Sequence, residues 1–349
     1  MLLIVLVKKI MGVLSLDPRQ SHNTGKNHHN HPNLVEEISG LIKVYNNGYV
    51  ERPPIISNIP CNNIPSELRV TSRDIMIDRF TNMWVRIYVP HHVQKKVPLV
   101  VYFHGGGFCV GSAAWSCYHE FIANMASKVG CVVVSVNYRL APENRLPAAY
   151  DDGYTALMWV KQQAASGNRE HAWWLSCCNL SGLFLAGDSA GANIVHNLTL
   201  RTSSSLVALR PLSLRGTILI QPFFGGESRT SSEKAPQPHR SALTLSASDA
   251  YWRMSLPLGA NRDHPWCNPL ANNSLKSAEL PAMLVCVSEM DILMDRNKEF
   301  CSALVNAGKS VKMVVYKGVG HGFQILNNSP LSNARKQEMI AHVKAFINS

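Results

Sequence analysis

The stretch "LFLAGDSAGAN" at residues 183–193 decides the fold of this chain. It places an apolar run of strand type directly before the pattern Gly187-x-Ser189-x-Gly191, which opens a segment of helical character. Small residues beside a serine permit a strained strand-to-helix turn, and such a turn exposes the serine hydroxyl above a sheet. Taken alone, the motif also fits an ordinary serine in a βα turn, so its meaning depends on the rest of the chain.

Short apolar runs recur on both sides of this stretch and predict a mostly parallel sheet. They read "PLVVYF", "CVVVSVNY", "LFLAG", "GTILIQP", "AMLVCVS" and "VKMVVYKG", and near-continuous apolar character is typical of strands buried on both faces. Between them, "YHEFIANMASKVG" and "DDGYTALMWVKQQ" have the length and amphipathic character of crossover helices. Two further elements near the N-terminus are a strand in "WVRIYVP" and an Asn-Gly hairpin in "GLIKVYNNGYVERP". We therefore expect a doubly wound α/β fold.

Two segments depart from this alternation. Residues 1–33 contain the polar, aperiodic "DPRQSHNTGKNHHNHPN", where we expect a disordered arm. Between about residues 225 and 280, "YWRMSLPLGANRDHPWCNP" is rich in proline and tryptophan and interrupts the order of strands and helices. An insertion of this composition between two strands favours a lid over a site, not a second domain. Residues 34–349 are thus predicted to form one domain.

Composition narrows the classes of partner. With 349 residues and 46% hydrophobic content, the chain can bury a substantial core. Lys and Arg exceed Asp and Glu by 34 − 23 = 11, but these charges are scattered and no nucleic-acid motif appears. A solvated basic surface is therefore favoured over a nucleic-acid or membrane partner. The nine cysteines include no CxxC pair and no metal-like Cys/His spacing, so neither a disulfide framework nor a zinc site is expected.

The N-terminal residues predict no secretion signal. The run "LLIVLV" is too short to span a membrane, and the "KK" that follows it places the charge on the wrong side for a signal peptide. Met11 is an alternative start. We expect a protein of the cytoplasm, with the nucleus as an additional location, because its cysteine usage fits a reducing compartment. The cluster His28, His29 and His31 suits only opportunistic metal binding, and no metal or cofactor is expected.

A second motif, "YFHGGGFCVGS" at residues 102–112, sets three glycines behind a histidine. Consecutive glycines form either a linker or a place where backbone N–H groups approach a ligand closely. A serine that attacks an ester carbonyl creates a negative oxygen, which needs preorganised donors. We predict an oxyanion hole in which the donors are Gly106, Gly107 and the Ala190 N–H, while Gly105 permits the turn. His104 is interpreted as a residue that braces this loop.

A serine nucleophile also needs a base and an acid that orients the base. "GVGHGF" delivers His321 directly after the last predicted strand, and we predict it as the base. "SEMDILMD" supplies three candidate acids after the preceding strand, Glu289, Asp291 and Asp295. Asp291 is favoured because it lies in the loop just beyond the strand, whereas Asp295 would suit the N-cap of the next helix. The chain order Ser189, acid, base matches the hydrolase arrangement of these parts.

The motifs "HGGGF", "NYRLAPE", "PAAYDDG", "GDSAGAN", "DILMD" and "GVGHGF" together resemble the plant carboxylesterase family, related to the hormone-sensitive lipase branch of α/β hydrolases. The resemblance runs from about residue 34 to the C-terminus. It implies an α/β-hydrolase fold with a cap built from the N-terminal segment, about 34–68, and the insertion at 225–280. It also implies a largely apolar acyl pocket. Tyr138, Asp152 and Asn193 fall within family motifs and are interpreted as scaffold.

Three functions are compatible with the resemblance. The first is a serine carboxylesterase acting on small to medium esters, as a monomer or weak homo-oligomer. The second is a binding protein, because gibberellin receptors resemble this family but lack the catalytic histidine, which is present here as His321. The third is a repurposed hydrolase, such as a lyase, dehydratase or cyclase of specialised metabolism, because an intact triad does not prove that water is the acyl acceptor.

Aromatic residues in and near the insertion, together with the one after the glycine run, predict the shape of the substrate site. Bulky apolar groups there would line a closed pocket that prefers short acyl chains of about two to six carbons. The alternative is that these side chains only hold the cap together. The residues concerned are Phe108, Phe223, Phe224, Tyr251 and Trp252.

Overall fold

A computed structural model describes residues 32–91, 95–167, 169–203, 209–238, 241–272 and 274–349. The predicted arm therefore lies outside the described residues, except for its last two positions. The histidine cluster at residues 28–31 also lies outside them. The remainder, from residue 34 to residue 349, forms one compact unit.

An eight-stranded mixed sheet forms the centre of this unit. Its strands are β4 Val70–Asp78, β5 Met83–Pro90, β6 Val97–Phe103, β7 Val132–Asn137, β8 Cys178–Asp188, β9 Leu214–Ile220, β10 Ala282–Ser288 and β11 Val311–Tyr316. They lie in the order β11-β10-β9-β8-β6-β7-β5-β4. The strands from β6 to β11 pair in parallel, whereas β4 and β5 run antiparallel at one end. The predicted mostly parallel α/β sheet is thus confirmed.

One strand differs from its sequence prediction. The run "VKMVVYKG" was expected to be buried on both faces, yet Lys312 and Met313 are exposed in β11. This strand lies at the edge of the sheet, where β10 is its only paired neighbour among the described residues. An edge strand exposes part of its side chains even when its composition is strongly apolar.

Helices cover both faces of the sheet and divide the core in two. On one face, α2 (Ala148–Ser166), α4 (Ala190–Ser203) and α8 (Met294–Asn306) contribute to a cluster with the strand residues Val101 and Leu185. On the other, α1 (Ser116–Met125) and α10 (Pro330–Ile347) pack on Val100 and Ala186. The helices are α1 Ser116–Met125, α2 Ala148–Ser166, α3 Ala172–Leu175, α4 Ala190–Ser203, α5 Ser231–Lys234, α6 Leu245–Ser255, α7 Ser274–Ser277, α8 Met294–Asn306, α9 Phe323–Leu326 and α10 Pro330–Ile347.

A three-stranded antiparallel sheet precedes the central one and contains the predicted hairpin. It is formed by β1 Leu34–Ile38, β2 Ile42–Tyr45 and β3 Val50–Glu51. The hairpin pairs Val44 with Val50 across the Asn-Gly turn, as the sequence predicts. Arg52 then ties this segment to the central domain, since its guanidinium donates to the carbonyls of Cys109 and Ala141 and pairs with Glu143.

The insertion between β9 and β10 contains α5, α6 and α7. Helix α6 packs on β1. Arg253, in the last turn of α6, forms a bidentate ion pair with Glu36 of β1, at 2.8 and 3.0 Å. Arg145 donates to the carbonyls of Arg253 and Leu256 and so links the insertion to the central domain. The insertion and the N-terminal sheet are thus in direct contact.

Candidate active site

Ser189 occupies a tight turn between β8 and α4. Its φ of 51° lies in the left-handed region, which is costly for a residue with a side chain. Its N–H donates to the Ile220 carbonyl at 2.8 Å, and its carbonyl accepts from the Phe223 N–H at 3.0 Å. Gly191 cannot be replaced at this turn, since a Cβ there would collide with the backbone of Phe103. The flanking glycines therefore make the sharp turn possible.

His321 joins the serine to a carboxylate. Its Nε2 lies 2.9 Å from Ser189 Oγ, and its Nδ1 lies 2.7 Å from Asp291 Oδ2. Burial disfavours the charged imidazolium, but the hydrogen-bonded Asp291 carboxylate and, more weakly, the Asp188 carboxylate favour it. Together they raise the pKa of His321 above its usual value. The second oxygen of Asp291 accepts the Leu293 N–H at 3.0 Å. Both carboxylate oxygens are therefore held in place.

The other two candidate acids have different partners. Glu289 Oε2 accepts the N–H of Gly318 at 2.9 Å. Asp295 Oδ2 accepts the N–H of Ser232 at 2.7 Å. The prediction that Asp295 caps the following helix is wrong, because α8 begins at Met294 and Asp295 lies inside its first turn. Of the three acids, the structure brings Asp291 to the histidine.

The glycine loop after β6 approaches the serine from the neighbouring strand. Gly106 and Gly107 both have positive φ, at 113° and 59°. A Cβ at Gly106 would collide with the Val110 carbonyl, and one at Gly107 would collide with the Tyr251 ring. Within the described parts of the chain, no backbone carbonyl accepts the N–H of Gly106, Gly107 or Ala190. These three donors are available to a ligand.

Gly105 has a different role from the two glycines that follow it. Its N–H donates to Asp188 Oδ1 at 3.0 Å and to the Tyr118 hydroxyl at 2.8 Å. The hydroxyls of Tyr102 and Tyr118 also donate to the Asp188 carboxylate, at 2.8 and 2.9 Å. Asp188 is almost fully buried, and burial raises its pKa to about 6 although these hydrogen bonds lower it. Sequence reasoning missed this network, for which the only signal was an acidic residue next to the serine.

His104 and Tyr138 support the same loop from behind. The two rings stack with centroids 4.3 Å apart, and the Tyr138 hydroxyl donates to the His104 carbonyl at 2.7 Å. His104 is fully buried, and its burial lowers its pKa to about 4. Among the other residues interpreted as scaffold, Asp152 pairs with Arg139 at 2.7 Å, and Asn193 is bonded to the Phe223 carbonyl.

A cavity of about 160 Å³ opens over Ser189 and His321. Its wall is mostly apolar, and three parts of the chain contribute to it in addition to Phe223 and residues between Gly106 and Tyr118. These parts are the N-terminal segment, the insertion and the region after His321. Sequence reasoning did not identify most of the residues concerned, because isolated apolar side chains in loops have no distinguishing pattern. They are Leu41, Ile55 and Ile56, then Ala242, Leu243 and Tyr251, and finally Ile325 and Leu326.

The predicted pocket aromatics separate into two groups. Phe223 and Tyr251 line the cavity. Trp252 and Phe108 do not line it and lie behind Phe223, whose ring stacks on Trp252 with centroids 4.5 Å apart. Phe224 packs on Phe300 in the core. The expectation that Phe108, Trp252 and Phe224 form the pocket surface is therefore corrected, because they support the wall from inside the core.

Among the residues that the structure describes, no group of three or more His, Cys, Asp and Glu side chains is arranged to hold a metal ion. In the same residues, no helix has the length and apolar character needed to cross a bilayer. All nine cysteines are unpaired thiols.

Comparison with known proteins places the chain in a family. Residues 100–325 match the family model of the α/β hydrolase fold. The chain is 48% identical to probable carboxylesterase 6 of Arabidopsis thaliana over 338 residues, which covers 94% of this chain and 96% of that protein. It is also 36% identical to gibberellin receptor GID1C of Arabidopsis thaliana, covering 91% of this chain and 90% of the receptor.

A solved structure agrees with this assignment. The hyperthermophilic esterase of Pyrobaculum calidifontis superposes with a TM-score of 0.66 at 29% identity and covers 80% of this chain and 85% of its own. This similarity extends over most of the chain, as does the similarity to the Arabidopsis proteins. The chain therefore belongs to the plant carboxylesterase family of α/β hydrolases.

Proposed function

We propose that this protein is a serine carboxylesterase that hydrolyses small to medium carboxylic esters through an acyl-enzyme. The observation that carries the proposal is the continuous set of contacts from Asp291 through His321 to Ser189. A serine hydroxyl is a weak nucleophile unless a base is within hydrogen-bond reach, and the orientation of that base depends on a third group. The family assignment and the esterases among the relatives support the same reaction.

In the first half-reaction, Ser189 Oγ attacks the ester carbonyl carbon while its proton passes to His321 Nε2. The carbonyl electron pair moves to oxygen, and this oxyanion is held by the free N–H groups of Gly106, Gly107 and Ala190. When the tetrahedral intermediate collapses, the alcohol oxygen leaves with the bonding pair and takes the proton from His321. Ser189 then carries the acyl group, and Asp291 stabilises the transient imidazolium.

In the second half-reaction, water replaces the alcohol. His321 accepts a proton from the water as its oxygen attacks the acyl carbon, and the same three N–H groups bind the second oxyanion. Collapse releases the carboxylic acid, and the proton held by His321 returns to Ser189 Oγ. The free enzyme is regenerated without any cofactor.

The cap proposed from the sequence, about 34–68 with 225–280, suits a closed acyl pocket. Both segments contribute apolar side chains to the cavity over Ser189, and the Arg253–Glu36 ion pair joins them. A cavity of about 160 Å³ favours short acyl groups over the chains of long-chain lipids. The wall groups offer few hydrogen bonds beyond those at the reaction centre, so hydrophobic burial is the main source of binding energy.

Substitution of the nucleophile tests the proposal. Ser189→Ala removes the attacking oxygen, whereas Ser181→Ala changes an exposed serine on the same strand and serves as the control. Turnover of p-nitrophenyl butyrate should fall by several powers of ten in the first variant and be retained in the second. A fluorophosphonate probe should add mass to the peptide that contains Ser189. A folded Ser189→Ala protein with wild-type turnover would refute the serine mechanism.

Two alternatives from the sequence have a direct test. A pure binding role is disfavoured by the contact of His321 with Ser189, which a receptor does not need. A repurposed hydrolase would transfer the acyl group or rearrange its substrate without using water. Reaction in ¹⁸O-labelled water separates these cases, since hydrolysis places one labelled oxygen in the released acid.

We also propose a cytoplasmic location, for which the nine unpaired cysteines are the supporting observation.

A further inference from the structure

The segment from Ile220 to Phe223 holds the backbone of the proposed nucleophile. The Ile220 carbonyl accepts the N–H of Ser189 at 2.8 Å, and the Phe223 N–H donates to the Ser189 carbonyl at 3.0 Å. Both main-chain groups of Ser189 are thus bonded to a single stretch of four residues at the end of β9. The strained turn at Ser189 depends on this stretch for part of its support.

Gln221 lies within that stretch, and its side chain contacts the loops that carry the other two triad residues. Its Oε1 accepts the N–H of Gly322, the residue after His321, at 2.7 Å. Its Nε2 donates to Ser288 Oγ at 2.5 Å. Ser288 ends β10, three residues before Asp291. Both polar atoms of the Gln221 amide group are therefore hydrogen-bonded, one to the loop that carries His321 (the base loop) and the other to the end of the strand that precedes Asp291.

Burial and backbone geometry both show that Gln221 is fixed. Gln221 is 1% exposed and Ser288 is fully buried, so neither hydrogen bond competes with water. The φ of Gln221 is 48°, a left-handed value that disfavours a residue with a side chain. Its N–H donates to the Cys286 carbonyl at 2.8 Å. Such strain persists only where the surrounding structure holds it, and it concentrates at functional sites.

The base loop needs this external support because the glycines in its own backbone allow many conformations. His321 is flanked by Gly320 and Gly322, and Gly322 has a φ of 66°. A short helix of four residues, α9, follows directly. The transfer of a proton between Ser189 and His321 requires a separation within hydrogen-bond reach, and a displacement of about 1 Å can cost about 100-fold in rate.

From these contacts we infer that Gln221 is a positioning residue that fixes the His321 loop relative to Ser189 and Asp291. The inference rests on the proposed function of those three residues. In the part of the chain that the structure describes, Gln221 does not line the substrate cavity, and its amide bonds to Ser288 and Gly322 instead of to a triad side chain. It acts through Gly322 and Ser288.

The test compares Gln221→Met with a matched control, Gln324→Met. Gln324 lies in α9 and is fully buried, but its amide oxygen and nitrogen have no partner among the described residues. Both changes replace an amide by a thioether of similar length. For p-nitrophenyl butyrate, we expect Gln221→Met to lower kcat about 10- to 100-fold with KM changed less than threefold. Gln324→Met should keep kcat within threefold of the wild type.

The conservative variant Gln221→Glu separates the hydrogen bond from simple packing. Its carboxyl oxygen still accepts the Gly322 N–H, and the Ser288 hydroxyl can rotate to donate to it. We expect kcat at least threefold above that of Gln221→Met. If the two variants lose the same fraction of kcat, the volume of the side chain and not its hydrogen bond is responsible, and the inference is overturned.

A readout that does not depend on turnover keeps the two proposals distinct. The pKa of His321, followed by NMR and assigned with His321→Ala, reports the distance to the charged groups that face it, Asp291 and Asp188. We expect Gln221→Met to bring this pKa back toward its usual value and Gln324→Met to leave it unchanged. An unaltered pKa in folded Gln221→Met refutes the positioning role, even if the wild type hydrolyses no ester tested.

A second variant covers the case in which Gln221→Met does not fold. Ser288→Ala removes the partner that holds the Gln221 amide nitrogen but leaves the Gly322 bond. We expect kcat to fall about 3- to 10-fold and the pKa of His321 to move in the same direction as in Gln221→Met. If kcat and the pKa of His321 in Ser288→Ala both match the wild-type values, this variant also refutes the inference.

Discussion

The ring of Tyr251 lies directly over Gly107, so close that a Cβ on Gly107 would overlap the ring carbons. The helix that carries Tyr251, α6, belongs to the insertion, whereas Gly107 belongs to the loop whose N–H groups we assign to the oxyanion. The insertion therefore limits where that loop can lie. Since the φ of Gly107 is 59°, conformation and space both exclude a side chain at this position.

Gly107→Ala should therefore lower kcat about 100-fold or more, because either the loop or Tyr251 has to move. Loss of one oxyanion donor costs about 10²- to 10³-fold in comparable enzymes. Gly308→Ala is the matched control, since Gly308 has a φ of 71° but open space around its Cα. It should lose about 1 kcal/mol of stability while kcat stays near the wild-type value. Steady-state kinetics with p-nitrophenyl acetate decide the matter, and equal kcat values in the two variants would contradict the assignment of Gly107.

The acid of the triad is tested by three substitutions. Asp291→Asn should lower kcat about 10⁴-fold, because the amide leaves the imidazole in the wrong tautomer. Asp295→Asn and Glu289→Gln should remain active, since these carboxylates bond to the backbone of Ser232 and Gly318 instead. The comparison needs kcat for the three folded variants. If Asp295→Asn were the inactive one, the acid would have to be reassigned.

The acid limb of the pH profile should also depend on Asp291. The carboxylate raises the pKa of His321 above its usual value, and only the neutral imidazole can accept the proton of Ser189. In the wild type, kcat/KM should therefore decline as the pH falls through a pKa above 6.5. In the residual activity of Asp291→Asn, this decline should shift to lower pH. A limb that does not move would mean that another group controls the ionisation.

The sequence was sufficient to predict the strands and to select Ser189, His321 and Asp291, which the structure brings into contact. It was not sufficient for the network around Asp188 or for most of the cavity wall. Strands and catalytic loops follow local patterns, such as apolar runs and the glycines beside Ser189 and His321. The cavity wall brings together Ile56 and Leu243, which are far apart in sequence and have no shared motif. Phe108 and Trp252 were wrongly predicted to line the cavity, because composition does not indicate whether a buried ring faces the cavity or packs behind the residues that line it.

The ionisation of Asp188 should appear in the stability of the protein. Burial raises its pKa from 3.8 to about 6, so between these pH values the folded state binds more protons than the unfolded state. The free energy of unfolding should then decrease as the pH rises from about 4 to about 6, by up to about 3 kcal/mol from this group. Asp188→Asn cannot titrate, so it should lack this component.

Urea unfolding of both proteins at pH 4, 5, 6 and 7 isolates the contribution of Asp188, because the other titrating groups are shared. The stability of Asp188→Asn relative to the wild type should increase across this range. A constant difference at all four pH values would mean that Asp188 titrates alike in both states. Loss of kcat in Asp188→Asn would separately report on the Gly105 contact.

Acyl-chain preference tests the size of the cavity over Ser189. Each methylene buried in an apolar pocket contributes about 0.8 kcal/mol, which corresponds to about a fourfold gain in kcat/KM until the chain reaches the end of the cavity. In a cavity of about 160 Å³, p-nitrophenyl esters should be cleaved best with acyl groups of about two to six carbons. Leu243→Ala enlarges the wall and should move the optimum to longer chains. Leu258→Ala is the control, since Leu258 is 85% exposed, and it should leave the optimum unchanged. If kcat/KM of the wild type still rises beyond ten carbons, the site is an open groove and the closed-pocket proposal fails, whatever the result for the triad.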